Sequence, residues 1–233
     1  MCGRFTQAMS WRELVELYRI HEQPAPTLTP RFNVAPTQSV LAIRADKGRR
    51  QAFLPRWGLV PAWAKDIAIG SRMINARAES LAEKPAFRTA FRQRRCLIPA
   101  SGFYEWSGPR SARQPHYIRA PERSLLTFGG LWERWRDPAV PDAPPLESCT
   151  IITTTASSDV IGLHDRMPLL LAPEDWEVWL DPDAPAGLLE TLLRPAPPGS
   201  LSYHPVDRKV GSPRVEGPEL IEPLARPPEQ LPL

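Results

Sequence analysis

The chain has 233 residues, with 29 Lys or Arg against 26 Asp or Glu and a net charge of +3. That length suffices for a buried core, and 42% hydrophobic with 24% charged residues is ordinary for a globular protein. No apolar run approaches the roughly 18 residues of a membrane span. The start MCGRFTQ has neither the basic nor the apolar part of a secretion signal. A secreted, membrane-spanning or collagen-like protein is therefore excluded, and a cytoplasmic one is expected.

The small net charge hides an asymmetry. Residues 1–100 carry 17 basic and 7 acidic side chains, or +10, and residues 101–233 carry 12 and 19, or −7. Of the 29 basic residues, 25 are Arg, whose planar fork suits phosphate. A GC-rich genome would give the same bias. The charge split points to an anionic partner for the first half.

Ser10-Trp11-Arg12-Glu13 is a capping-box pattern, and Trp11, Leu14, Leu17 and Tyr18 follow at helical spacing, predicting a helix over 10–21. The Pro-rich stretch 24–37 reads as loop. Ser39–Arg44 and Gln51–Leu54 read as strands around an Asp46-Lys47-Gly48 turn. Residues 56–75 show little periodicity. Residues 78–93 read as helix interrupted at Pro85. Cys96–Pro99, Gly102–Trp106, Tyr117–Arg119, Leu125–Leu131 and Cys149–Thr155 read as strands, 137–145 as loop, and Pro173–Leu180 and Pro185–Leu193 as helices. The tail from Gly211 has Pro at 213, 218, 223, 227, 228 and 232, and little regular structure is expected there. Mixed strands and helices without βαβ alternation predict one α+β domain with largely antiparallel sheets. The domain is placed at 1–223, with a mobile Pro-rich tail over 224–233.

The cysteines are Cys2, Cys96 and Cys149. An odd count without CxxC argues against a disulfide framework or zinc cluster, and no metal or cofactor motif occurs. Removal of Met1 would make Cys2 an N-terminal 1,2-aminothiol. Its amine and thiol have reference pKa values of about 7.7–8.0 and about 8.5, so both are partly reactive near neutral pH. The amine condenses with an aldehyde to an imine, and the thiol then closes a thiazolidine ring. Alternatively the thiol is an acyl nucleophile with the amine as base.

Three further residues can carry chemistry. Asn75, beside Arg77, can hold an oxygen or a phosphate. Glu105, between aromatics on a strand, is a candidate for proton transfer. His164, beside Asp165 and Arg166, is a candidate acid or base. Each also has an ordinary structural reading. Arg4, Arg56, Arg72, Arg77, Arg88, Arg92, Arg94 and Arg95 interleave with Trp57, Trp63 and Trp106. A cationic groove with exposed aromatics suits single-stranded nucleic acid. The plainer reading is a solvated helix face at Arg88–Arg95 and a core Trp57.

Several stretches occur together in order: Met1-Cys2-Gly3-Arg4-Phe5, Phe32-Asn33-Val34-Ala35-Pro36, Arg56-Trp57-Gly58-Leu59-Val60-Pro61, Asn75-Ala76-Arg77-Ala78-Glu79, Cys96-Leu97-Ile98-Pro99-Ala100, Gly102-Phe103-Tyr104-Glu105-Trp106 and His164-Asp165-Arg166-Met167-Pro168. With Ser212–Pro218, they resemble the SOS-response-associated peptidase (SRAP) family from residue 2 to about 223. The resemblance implies an α+β fold of antiparallel sheets, partly barrel-like, with short helices around it. It implies a monomeric, cytoplasmic shield for abasic sites in single-stranded DNA or at single/double-strand junctions, nucleoid-associated when bound, with no cofactor or metal. Cys2 would be the nucleophile, Asn75 would position it, and Glu105 and His164 would move protons. Arg4, Arg77 and Arg166 would hold phosphates, and Trp63 and Trp106 would stack on or wedge between bases. Asn33 and Pro36 belong to a motif near the site. Self-removal of Met1 and weak abasic-site lyase activity are also implied. One Trp in 63–72, where some members have two, departs from the pattern.

Two other classes compete. N-terminal-nucleophile glutamine amidotransferases also begin Met-Cys-Gly, but their glutamine site needs an Asn-Gly pair that this chain lacks. A non-catalytic single-stranded or modified-base DNA-binding module would leave Cys2 incidental.

Overall fold

A computed structural model describes residues 2–21 and 23–224. In chain order the elements are β1 (Phe5–Gln7), α1 (Trp11–Tyr18), β2 (Arg31–Val34), β3 (Ala42–Asp46), β4 (Arg49–Phe53), β5 (Arg56–Trp57), β6 (Asn75–Arg77), α2 (Arg88–Gln93), β7 (Arg95–Ala100), β8 (Gly102–Ser107), β9 (Gln114–Arg119), β10 (Leu126–Trp135), β11 (Leu146–Thr155), β12 (Arg166–Pro168), α3 (Trp176–Leu180), α4 (Ala186–Leu192) and β13 (Ser202–Pro205). One sheet runs β13-β9-β8-β1-β2, and the other β12-β11-β10-β7-β3-β4. The expected α+β architecture is therefore present, with antiparallel order along both paths. No closed barrel forms among the described residues. Two short parallel pairings, β5 and β6 on β11, depart from the antiparallel expectation.

Strand β7 shows how the core is divided. All six of its residues are buried. Alternation sends Cys96 and Ile98 to one face and Leu97 to the other. Cys96 and Ile98 join Phe5, Phe103 and Ile118 of the smaller sheet and Phe128 and Ile151 of the larger, so this cluster lies between the sheets. Leu97 joins Leu14, Tyr18, Phe91, Trp176 and Trp179 under the helices.

Helix α1 starts where its capping box predicts. The Glu13 amide donates to Ser10 Oγ at 3.2 Å and the Ser10 amide to Glu13 Oε2 at 2.7 Å. It ends short of residue 21, because Arg19 turns left-handed at φ 50°. Tyr18 anchors it, stacked on Trp176 at 4.5 Å and hydrogen-bonded to Thr127 at 2.7 Å.

The other departures are mostly short elements. The loop predicted over 24–37 contains β2. The helix predicted over 78–93 is a 3-10 turn at Ala78–Ser80 and then α2. The Arg88–Arg95 stretch is not uniformly a solvated face. Arg88 and Arg92 are exposed, Arg94 pairs with Glu133, and Arg95 is buried, donating to the carbonyls of Phe91, Arg92, Trp179 and Asp181. In the tail, Pro218–Ile221 forms a 3-10 turn. Apart from Leu224, the stretch predicted as mobile lies outside the described residues. No helix among the described residues is long and apolar enough to cross a membrane.

Candidate active site

Cys2 is wholly buried at the edge of the inter-sheet core, at the head of β1. Three residues on, the Phe5 ring packs edge-on against Trp57 at 5.0 Å and Phe128 at 5.8 Å, which pins the strand. Trp57 is fully buried, as its core reading predicted, and its indole N–H donates to Ile74 O at 2.8 Å. Ile74 precedes Asn75. The packing that fixes the Cys2 arm thus also fixes the Asn75 strand. Gly58 and Gly70 permit this, because a Cβ on either would meet the other's backbone at 2.6 or 2.5 Å.

Asn75 closes the link directly. Its Nδ2 donates to the Cys2 carbonyl at 2.8 Å. Its Oδ1 is buried and accepts no hydrogen bond among the described residues. Glu105 reaches the same place from β8. The pairing of Phe5 with Phe103 and of Thr6 with Gly102 carries the register on toward Glu105 opposite the chain before β1. Gly102 is required there, since a Cβ would lie 2.4 Å from the Tyr117 ring. Glu105 is 5% exposed. Burial pushes the Cys2 thiol well above its usual range, and the nearby Glu105 charge pushes it further. The resting group is therefore a thiol near the Glu105 side chain.

His164 lies in the turn before β12, where Val160 and Leu163 pack on the cluster that contains Cys2. Its Nδ1 has two partners, the Arg166 amide at 2.9 Å and Asp165 Oδ1 at 2.7 Å. The amide requires a lone pair on Nδ1 and the carboxylate requires a proton. The two contacts therefore call for different proton placements on the ring, and a neutral ring protonated on Nδ1 satisfies the carboxylate as well as a charged one does.

The arginines expected on phosphate divide sharply. Arg166 Nη1 and Nη2 grip Glu79 Oε1 and Oε2 at 2.5 and 2.9 Å, and Nη2 also donates to Thr153 O. Arg4 donates to Asn33 Oδ1 at 2.6 Å, Val210 O at 2.8 Å and Gly211 O at 3.1 Å. Buried Asn33 donates in turn to the carbonyls of Val210, Ser212 and Val215. These two side chains lash the C-terminal segment to β1 and β2. Arg77 is exposed, and its side chain makes no hydrogen bond among the described residues. Trp63 is 60% exposed, Trp106 is half-buried against Tyr104, and Pro36 is half-buried in the turn after β2.

The geometry brings Cys2, Asn75 and Glu105 together. It sets His164 and Arg166 on one turn, and separates Arg4 and Asn33 into a structural clamp. Among the described residues no cluster of three or more His, Cys, Asp or Glu could hold a metal. A cavity of about 740 Å³ between α1, β9 and the C-terminal segment is lined by none of the predicted site residues. Glu79 was not singled out from sequence, although it closes the Asn75–Glu79 motif. Trp57 was read as a groove aromatic or, more plainly, as core, and the structure puts it in the core.

Residues 1–213 match the family model for SOS response associated peptidase (SRAP). The chain belongs to the SRAP family. Abasic site processing protein YoqW of Bacillus subtilis is 41% identical over 226 residues, covering 95% of this SRAP chain and 99% of that protein. Abasic site processing protein HMCES of Gallus gallus is 32% identical over 227 residues, covering 84% and 66%. Abasic site processing protein YedK of Escherichia coli is 27% identical over 236 residues, covering 96% and 100%. A crystal structure of a Bacteroides thetaiotaomicron protein shares the SRAP chain's fold with a TM-score of 0.86 at 22% identity, covering 96% and 100% of the two chains. A phage-related protein of Bordetella bronchiseptica gives 0.69 at 29% identity, covering 89% and 95%.

Proposed function

We propose that this protein processes abasic sites in single-stranded DNA by covalent capture on Cys2. The observation that carries this reading is the convergence of Cys2, Asn75 and Glu105 at one buried point, from chain positions 73 and 103 residues away from Cys2. The names of the relatives support its coarser part, the processing of abasic sites. Removal of the residue before Cys2 frees its amine. The amine adds to the aldehyde of the ring-opened sugar, and loss of one water gives an imine. The thiol sulfur then adds to the imine carbon, its proton passes to nitrogen, and a thiazolidine results.

Burial of the thiol favours one order of these steps. A protonated thiol is a poor first nucleophile, so the amine attacks first. Glu105 accepts the thiol proton as sulfur closes on the imine, and returns a proton when the adduct reverses. Asn75 Oδ1 is the acceptor that orients the Cys2 amine. His164 serves the proton transfers at the departing hydroxyl. An imine also permits slow β-elimination, which would give weak lyase activity. The retained thiol favours ring closure and protection over strand cutting.

Arg77 and Trp63 present the exposed cation and ring that would hold the strand by phosphate contact and stacking. A one-domain shield of this kind needs no second copy and works in a reducing cytoplasm. The test is a denaturing gel with a single-stranded oligonucleotide bearing one abasic site. Wild-type protein is expected to give a shifted band without reductant, Cys2→Ala none, and Cys2→Ser one only after borohydride. A band retained in Cys2→Ala would refute the assignment. No band in any protein would favour the non-catalytic DNA-binding reading.

A further inference from the structure

We propose that Glu79 is a positioning residue, which holds the guanidinium fork of Arg166 and so fixes the His164 turn against the Asn75 strand. This rests on the covalent-capture reading and assigns a residue that reading does not use.

Three contacts converge on Arg166. Its fork meets both oxygens of Glu79, four residues after Asn75 on the same segment. Its Nη2 also donates to the carbonyl of Thr153, which pairs on one side with Arg77 of β6 and on the other with Pro168 of β12. Its own amide donates to His164 Nδ1 at 2.9 Å. One residue therefore ties the turn carrying the candidate acid–base group to the strand carrying the residue on the Cys2 carbonyl. Strands β6 and β12 are three residues each. Backbone pairing that short needs side-chain support, and a bidentate Arg–carboxylate pair supplies fixed geometry.

The same contacts argue against Arg166 as the main phosphate ligand. The Arg166 side chain is 12% exposed, whereas Glu79 is 54% exposed. A phosphate would have to break the fork and displace Glu79, whose carboxyl is held below its usual range mainly by this hydrogen bond. The phosphate contact at this edge thus falls to Arg77. Glu79 acts through Arg166 and touches no reacting atom.

The test separates rate from affinity. Wild type, Glu79→Gln and Glu79→Asp are compared for adduct formation at saturating abasic oligonucleotide. Their dissociation constants for an intact single strand are measured beside these rates. The expected result is a maximal rate about tenfold or more lower in Glu79→Gln, as misplaced catalytic groups produce. Glu79→Asp should lie between it and wild type, with affinity within about twofold throughout. Tighter binding by Glu79→Gln with an unchanged maximal rate would overturn the proposal, because Glu79 would then merely compete with phosphate. Equal rates in all three proteins would also overturn it. If Glu79→Gln does not fold, a full wild-type rate in Glu79→Asp at matched affinity counts against the role, and a reduced one supports it. Failure of wild type itself to form an adduct would instead bring down the covalent-capture reading.

Discussion

Cys2 and Cys149 lie in the same core cluster, and both are completely buried. Burial drives both thiols up. For Cys149, burial is the whole cause, since it sits on β11 among apolar side chains. Cys2 has in addition the Glu105 carboxyl group in electrostatic range and the Asn75 amide on its carbonyl. Burial and a perturbed thiol therefore do not mark a reactive cysteine. What sets Cys2 apart from Cys149 is the polar groups that converge on it.

That contrast breaks most sharply under substitution of Cys2. Cys2→Ala should abolish the denaturation-resistant adduct, whereas Cys149→Ala should leave its yield unchanged in the same gel assay. Next in size is Glu105→Gln, which should slow capture by about 10²- to 10⁴-fold while single-strand affinity holds, as loss of a general acid–base does. A rate within threefold of wild type would remove Glu105 from the mechanism. Both measurements ask whether the neighbours, and not the burial, make Cys2 distinct.

Much of this candidate site was legible in the sequence. Cys2, Asn75, Glu105 and His164 stand in recognisable stretches, and the first three prove to be close. The hydrogen-bond partners of the arginines were not legible. Arg4 and Asn33 look like surface polar residues locally, but their partners lie 177 to 207 residues later, at Val210 to Val215. No local pattern encodes that. Asn33→Ala should accordingly cost about 2–4 kcal/mol in denaturant unfolding, through several lost buried hydrogen bonds. A loss of DNA affinity at unchanged stability would restore Asn33 to the binding surface.

The fold shows the same divide. Ten-residue β10 and β11 announced themselves by composition, although β10 runs past its predicted end at Leu131 and β11 starts before its predicted start at Cys149. Two-residue β5 and three-residue β6 and β12 are too short for a period-two pattern to register. They exist because β11 offers them hydrogen-bonding edges, which is a tertiary fact. Strand β2 was hidden by the prolines around it. The 3-10 turn at Ala78–Ser80 replaced a predicted helix because Arg77 before it remains extended on β11.

Two smaller effects sharpen the thiol comparison and the arginine division. The buried thiols stay protonated in the fold, while the unfolded chain ionises them above the ordinary value of 9.0. Stability supplied by this difference is present below pH 9 and lost as pH rises further. Each such thiol contributes about 1.4 kcal/mol of loss per pH unit there. Cys149→Ala should flatten the alkaline fall measured by urea unfolding at pH 9 to 11. An unchanged slope would mean that Cys149 ionises as freely in the fold as outside it. Arg77→Ala should reduce the slope of log affinity against log salt by about one. An identical slope would move the phosphate contact elsewhere.

The central claim is that Cys2 joins an abasic aldehyde with its amine and its thiol together. Intact mass spectrometry tests it most directly, using protein denatured without reductant after mixing with a single-stranded oligonucleotide bearing one abasic site. The account predicts a species equal to the protein lacking Met1 plus the oligonucleotide minus one water, absent from Cys2→Ala. The same adduct mass in Cys2→Ala, or no covalent species in wild type, would contradict it.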